Sequence, residues 1–287
     1  LITGTDLKDI TLKPGTEKWT DPDKKPEPDS VYTISDVVIV DNSYVTLSVV
    51  KAYIDESGNF KLKILCKNKT GGTVGVYSED AAINGYMIMP EWYSEVEPNQ
   101  EADSEMVFTA DKLKQAGITV VEEVEFLVNA YPTDFSTTYV YEKFRVYPTG
   151  LDAGSVTYPG IAHVDKGKVF VDNADLKFAI EGVDENGEHG YTLKVYVENR
   201  NPGVDVYCYF EDSVIINCMS DVNCYWGQTL FGGRRAVCDA PFLREDFDKE
   251  GVTVIYDMTF MLKVVDSDDW TKVLQETIFM FKPAYDL

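Results

Sequence analysis

The sequence predicts an all-β protein built from two tandem copies of one β-sandwich domain, each copy carrying one short helix. Three observations lead there. Matched residues recur in the same order at a nearly constant offset, which is the mark of an internal repeat. The runs between turns are short and rich in Val, Ile, Tyr, Phe and Thr, and Gly, Asn and Asp interrupt them about every 8 to 12 residues, as in immunoglobulin-like sandwiches.

The repeat begins with Val40-Asp41-Asn42, which matches Val171-Asp172-Asn173, after which Val45, Leu47 and Val49 fall on Leu176, Phe178 and Ile180 as equivalent strands. The turns Asp55-Glu56-Ser57-Gly58 and Asp184-Glu185-Asn186-Gly187 correspond, and Lys67-Asn68-Lys69 corresponds to Glu198-Asn199-Arg200. Glu79-Asp80 then falls on Glu211-Asp212, Trp92 on Trp226, Ala102 on Ala236, Gly117-Ile118 on Gly251-Val252, and Phe144, Val146 and Pro148 on Phe279, Phe281 and Pro283. The offset is 131 at the start, dips to 129 at the Asp55/Asp184 turn and rises to 135 at the end, as small loop insertions and deletions require. Helix-compatible residues over Thr109–Ala116 and Leu243–Glu250 end at the matched glycines, so each copy holds one short helix stopped by Gly. In the strand that follows, Val124, Phe126 and Val128 alternate with Glu123, Glu125 and Leu127, which predicts one buried face and one solvated face.

Residues 1–30, with Pro14, Pro22, Pro26 and Pro28 among charged residues, cannot bury a face and read as a leader or linker. The sandwiches are expected over 31–150 and 161–287, joined by the glycine- and proline-containing segment 151–160.

The run Asn84-Gly85-Tyr86-Met87, then Trp92, Val96 and Ala102, then Leu113, Gly117-Ile118 and Glu125-Phe126, resembles the repeat domain of secreted lipoproteins from Gram-positive gut bacteria. The likeness covers 37–148 and, more faintly, 168–283, where Asn217-Cys218 stands in place of Asn-Gly but Gly232-Gly233-Arg234-Arg235-Ala236 keeps the glycine-basic-alanine stretch. It implies an extracellular protein, lipid-anchored to the cell envelope through an N-terminal segment, and brings no catalytic residues with it.

Charge narrows the function classes. A net charge of −23, from 49 acidic and 26 basic residues spread over both halves, repels phosphate backbones and argues against nucleic acid as a partner. No apolar run is long enough to span a bilayer as a helix. The five cysteines, Cys66, Cys208, Cys218, Cys224 and Cys238, lack zinc-site spacing; four lie in the second copy, where one or two disulfides and free buried thiols are both open, while Cys66 reads as a small core residue.

Hydrolytic Ser/His/Asp chemistry needs a histidine base, and the only histidines, His163 and His189, do not recur between copies. Glu123 and Glu125 share one strand face, as a glycosidase pair would, but the matching Asp257 and Thr259 preserve no pair. The turns Asp55-Glu56, Asp184-Glu185 and Asp266-Ser267-Asp268-Asp269 offer oxygen ligands for calcium but are better explained by turn chemistry, and no cofactor or metal site is expected. Among the tryptophans, the matched Trp92 and Trp226 are assigned to the cores. Trp19 and Trp270, without a matching tryptophan, are the candidate ligand contacts. The reading that survives is a non-catalytic cell-surface interaction or adhesion protein with a protein or glycan partner; the alternative is a carbohydrate-binding module, and a hydrolase comes third.

Overall fold

The computed structural model describes residues 31–156, 166–188, 190–211, 213–218 and 220–287. The proline-rich leader, Trp19, both histidines and Asp212 lie outside the described residues. In repeat 1 the period-2 alternation becomes strands β1 (Ser35–Asp41), β2 (Val45–Ile54), β3 (Phe60–Asn68), β4 (Val74–Tyr77), β5 (Ala81–Ile83), β6 (Tyr86–Met87), β7 (Tyr93–Val96) and β8 (Glu101–Phe108). Helix α1 (Ala110–Gln115), β9 (Val124–Pro132) and β10 (Val140–Val146) complete it. One sheet has the order β1-β2-β3-β8; in the other, β9 sits centrally with β10 on one side and β4 and β5 end to end on the other, flanked by β7 and β6.

Repeat 2 repeats this element for element: β11 (Lys168–Asp172), β12 (Leu176–Gly187), β13 (Gly190–Asn199), β14 (Val206–Phe210), β15 (Ser213–Ile216), β16 (Ser220–Asn223), β17 (Gly227–Leu230), β18 (Arg235–Leu243), α2 (Arg244–Glu250), β19 (Met258–Asp266) and β20 (Val273–Phe281). Its sheets run β11-β12-β13-β18 and β16-β15-β19-β14-β17 with β20 on β19, the order of repeat 1 strand by strand. One short helix, α3 (Pro283–Asp286), is extra and closes the described chain. Both matched glycines terminate their helices in the left-handed conformation, Gly117 at φ 71° and Gly251 at φ 68°, where a Cβ would be strained.

The matched polar residues hold the same backbone groups in both copies. Asn42 and Asn173 each accept two backbone N–H bonds through Oδ1, from Tyr44 and Val45 and from Asp175 and Leu176. The buried Asn68 and Asn199 each donate through Nδ2 to three carbonyls of two loops: Gly72, Val96 and Glu97 for the first, Val204, Leu230 and Phe231 for the second. Asn84 and Asn217, both at positive φ, tie their turns to Val120 and Val254 and cap the N–H groups ahead of β9 and β19. An orphaned backbone group inside a sandwich costs more than a surface bond returns, so these asparagines are kept for architecture.

Inward residues of each copy form one core, running from Ile34 to Val146 in the first and from Val171 to Phe281 in the second. The cores are not sealed from each other. Ala82 and Met87 of repeat 1 pack into the second core, Val237 of repeat 2 packs on the first, and a single parallel bridge, Arg235 to Tyr86, links the sheets.

Candidate functional site

Glu125, on the outward face of β9, and Glu123, just before the strand, lie where the alternation places them, but the face is not solvated there. The turn Gly232–Arg235 of repeat 2 covers it, leaving the two residues 3% and 8% exposed. Arg234 reaches across with Nε 2.7 Å from Glu125 Oε2 and Nη2 2.9 Å from Glu123 Oε1, and Arg145 of β10 adds a bond to Glu125 at 3.1 Å and a contact with Glu123 at 3.7 Å. Burial alone would weaken the proton affinity of the Arg234 guanidinium; the two carboxylates outweigh that and hold it above its ordinary value. Two carboxylates and two guanidiniums therefore neutralise each other between the copies. The expectation of a solvated glutamate pair is corrected: at the start of β9 the outward face is covered as well as the inward one, and the pair is a structural lock with no room to act as acid and nucleophile.

Trp92 and Trp226 are buried, as assigned from their recurrence, and make equivalent bonds: Nε1 of Trp92 donates to Ser104 Oγ at 3.0 Å, that of Trp226 to Cys238 Sγ at 3.3 Å. All five cysteines are free. Burial pushes the Cys66 thiol up to about 12, and Cys224 and Cys238 likewise, which disqualifies them as nucleophiles near neutrality. The acidic turns spend their oxygens on their own backbone. Asp55 Oδ1 accepts from Ser57 and Asn59, Asp184 Oδ1 from Asn186, and Asp266 Oδ1 from Asp268. Among the described residues no three His, Cys, Asp or Glu side chains converge as a metal site.

Among the large side chains left outward are aromatics stacked in pairs. Trp270, 62% exposed in the β19–β20 loop, stacks on Tyr207 of β14 with centroids 4.8 Å apart and planes 23° apart; its indole N–H is anchored on the Ser267 carbonyl, and Tyr209 continues the stack on Tyr207 at 5.6 Å. Repeat 1 carries a similar stack, its lower ring supplied by a different strand. Phe135, 73% exposed in the β9–β10 loop, stacks on Tyr131 at 4.5 Å and 18°, with Tyr77, the counterpart of Tyr209, edge-on to Tyr131. Trp270 thus has a repeat equivalent after all; the Trp-to-Phe change and the drifting offset conceal it in the sequence.

Both stacks use a glycine as their floor. A Cβ on Gly75 would meet the Tyr131 ring at 3.0 Å, and one on Gly227 would strike the Tyr207 hydroxyl. In each repeat a tyrosine lies flat across a bare backbone. Phe135 sits at φ 55°, a conformation a bulky side chain adopts only under constraint, and such strain clusters at contact sites.

Tyr141 lies between the two stacks. On the outward face of repeat 1 the strand registers align Tyr93, Tyr77, Asn129 and Tyr141 in one row across β7, β4, β9 and β10. Tyr141 is 65% exposed and lines, with Trp270, Tyr207 and Phe231, a cleft of about 480 Å³ where the copies meet. The cleft rim is acidic. Lys143 is bound by both oxygens of Asp205, and Asp80, deep in the cleft, has its carboxyl pushed up by burial, against a partly offsetting bond to Thr229. A larger recess of about 650 Å³ beneath α2 and α3 is a weaker candidate, because its Arg244 is already bonded to the Glu185 carbonyl and to Asn186.

No protein-family model matches the chain, and no curated protein matches it in sequence. Among solved structures it is similar to the YadV chaperone, with 11% identity over 83% of this chain and 99% of that one at a TM-score of 0.25. It is similar to the Salmonella enterica SafA pilin in complex with the SafB chaperone, with 10% identity over 84% of this chain and 98% of that one at a TM-score of 0.24. A third is the partial N-terminal region of the enterococcal surface protein, with 9% identity over 92% and 97% at a TM-score of 0.21. Likeness at this level carries no function across to this chain.

Proposed function

We propose that the chain is a non-catalytic interaction protein of the cell envelope, holding its partner on the outward aromatic face. The observation that carries this is a division of labour. The paired glutamates and turn aspartates that could do chemistry are bonded into the scaffold, whereas Phe135, Tyr141 and Trp270, aromatics of the kind that dominate contact surfaces, stand open on loops and a strand face. The extracellular, lipid-anchored placement belongs to the same reading and rests on the resemblance of the repeat motif to lipoprotein domains.

A hydrolase, third among the sequence readings, is kept in view by one residue. Asp80 is a carboxylic acid of raised proton affinity inside a cleft, as an acid catalyst would be, but its neighbour Asp205 is clamped by Lys143 and the Gly232 N–H and so is poorly placed to act as a base. The test is a broad panel of glycoside, ester and peptide substrates. No turnover is expected, and turnover abolished by Asp80→Asn would overturn the proposal.

A further inference from the structure

We infer that the outward aromatic face is a binding site for a neutral, extended saccharide chain, gripped at two similar stacking platforms, Phe135/Tyr131 and Trp270/Tyr207, with Tyr141 between them. The inference rests on the non-catalytic reading and names the ligand class for it.

Three properties select this ligand. Each platform is a ring supported from below by another ring over a glycine floor, so the top ring is held flat with one face open. A flat, pre-oriented ring suits the apolar C–H face of a pyranose and loses little entropy on binding. The upper rings, Phe135 and Trp270, occupy the same hairpin loop in both copies, although their supporting tyrosines come from β9 in one and β14 in the other, and the row through Tyr77 and Tyr141 leads from one platform toward the other across the junction, so the surface offers stacked rings at intervals along its length as a polymer requires. The polar groups at the junction, Asp80, Glu142, Asp205 and Asp268, accept hydrogen bonds from hydroxyls, and their one cationic neighbour, Lys143, is already neutralised by Asp205. Sulfated, sialylated or uronate chains would meet a like-charged cleft on a protein of net charge −23, so the ligand is uncharged.

The buried lock between Arg234 and Glu123 and Glu125 gives this site its geometry. It holds the two platforms on one body, so engaging the second costs little further entropy once the first is bound.

The experiment is a titration of the full chain with neutral oligosaccharides of increasing length, chosen from a glycan array and read by calorimetry and tryptophan fluorescence. Affinity should climb by tenfold or more once the chain is long enough to reach both platforms, and Trp270→Ala and Phe135→Ala should each return it to the short-chain value. Both side chains are exposed, so circular dichroism of the variants should match the parent. The inference fails if no neutral glycan binds, if charged glycans bind better, if both variants bind like the parent, or if only a protein partner is retained. Binding followed by release of shortened products would instead sink the non-catalytic reading while leaving the saccharide site in place.

Discussion

The outward faces of β9 and β19 have the same backbone and opposite fates. On β9, Glu123, Glu125 and Leu127 are covered by the neighbouring copy; on β19 the corresponding Asp257, Thr259 and Met261 have no copy beyond them among the described residues, and Met280 replaces the Arg145 of β10 beside them. The charges have changed together. Where a face is buried against Arg234 it carries two carboxylates, and where nothing presses on it one of them is a threonine. A buried charge persists only with its partner, so the lock is a property of the junction and not of the repeat.

The largest test of the shared architecture is at the tryptophans. Trp226→Ala removes a ring packed 4.7 Å from Phe210 and 5.8 Å from Phe178, and Trp92→Ala removes its equivalent. Each should cost about 3–5 kcal/mol, much of one domain's stability. In calorimetry the mutated copy should melt early. If both variants unfold like the parent, the two rings do not perform one buried job twice.

A smaller effect addresses what distinguishes the copies. Arg234→Met strands Glu123 and Glu125 with Arg145 alone, which is part-exposed, and should cost about 2–3 kcal/mol while loosening one copy from the other. Adding Glu123→Gln and Glu125→Gln should restore most of that loss, because no charge is then left buried. Small-angle scattering would show the variant's copies reorienting. An unchanged profile and unchanged unfolding would mean the apolar contacts of Ala82, Met87 and Val237 hold the junction without the lock.

The lock marks the limit of what the sequence discloses. Alternation on Leu47, Phe126 or Phe260 reports a buried side of a strand, because the core repeats its demand every second residue. Asn68 and Asn199 are legible as a matched pair since each copy must satisfy the same loop carbonyls. Arg234, by contrast, meets glutamates more than 100 positions away and only once, so nothing periodic announces it. The stacking platforms are half-legible: Trp270 stands out as exposed, but its equivalence to Phe135 depends on loops where the offset shifts. The floors at Gly75 and Gly227 occupy different strand positions in the two copies.

Alkaline pH should separate the copies by buried thiols. Repeat 1 buries Cys66, whereas repeat 2 buries Cys208 and Cys224 and covers the Cys238 sulfur with Trp226. Burial raises all four in the folded state, Cys66 from 9.0 to about 12. A raised folded value favours the protonated fold, so the contribution is intact below pH 9 and is lost as pH climbs from 9 toward 12. By pH 9.5 each thiol should cost slightly under about 1 kcal/mol, leaving repeat 2 roughly 2 kcal/mol more weakened than repeat 1. Urea unfolding at pH 8 and pH 9.5 reads this difference; equal losses would mean the thiols are not in equally dry sites.

The smallest effect concerns the turn that breaks the repeat motif. Asn84-Gly85 and Asn217-Cys218 make the same turn, with the second residue at φ 83° in one and φ 59° in the other. Glycine adopts that conformation freely, whereas a residue with a Cβ gives up about 1 kcal/mol to reach it. A Cβ on Gly85 would meet no atom within 4 Å, so crowding does not enter and the conformational cost stands alone. Cys218 recovers little from its surroundings, since the thiol is exposed and its contact with Asp257 is long, at 3.7 Å. Cys218→Gly should therefore stabilise repeat 2 by up to about 1 kcal/mol, offset slightly by the greater freedom of glycine in the unfolded chain, and Gly85→Ala should destabilise repeat 1 by a similar amount. For a domain of this size that is a shift of a few degrees in Tm with opposite signs in the two copies. Same-sign shifts would show that the two turns differ in more than the residue they carry.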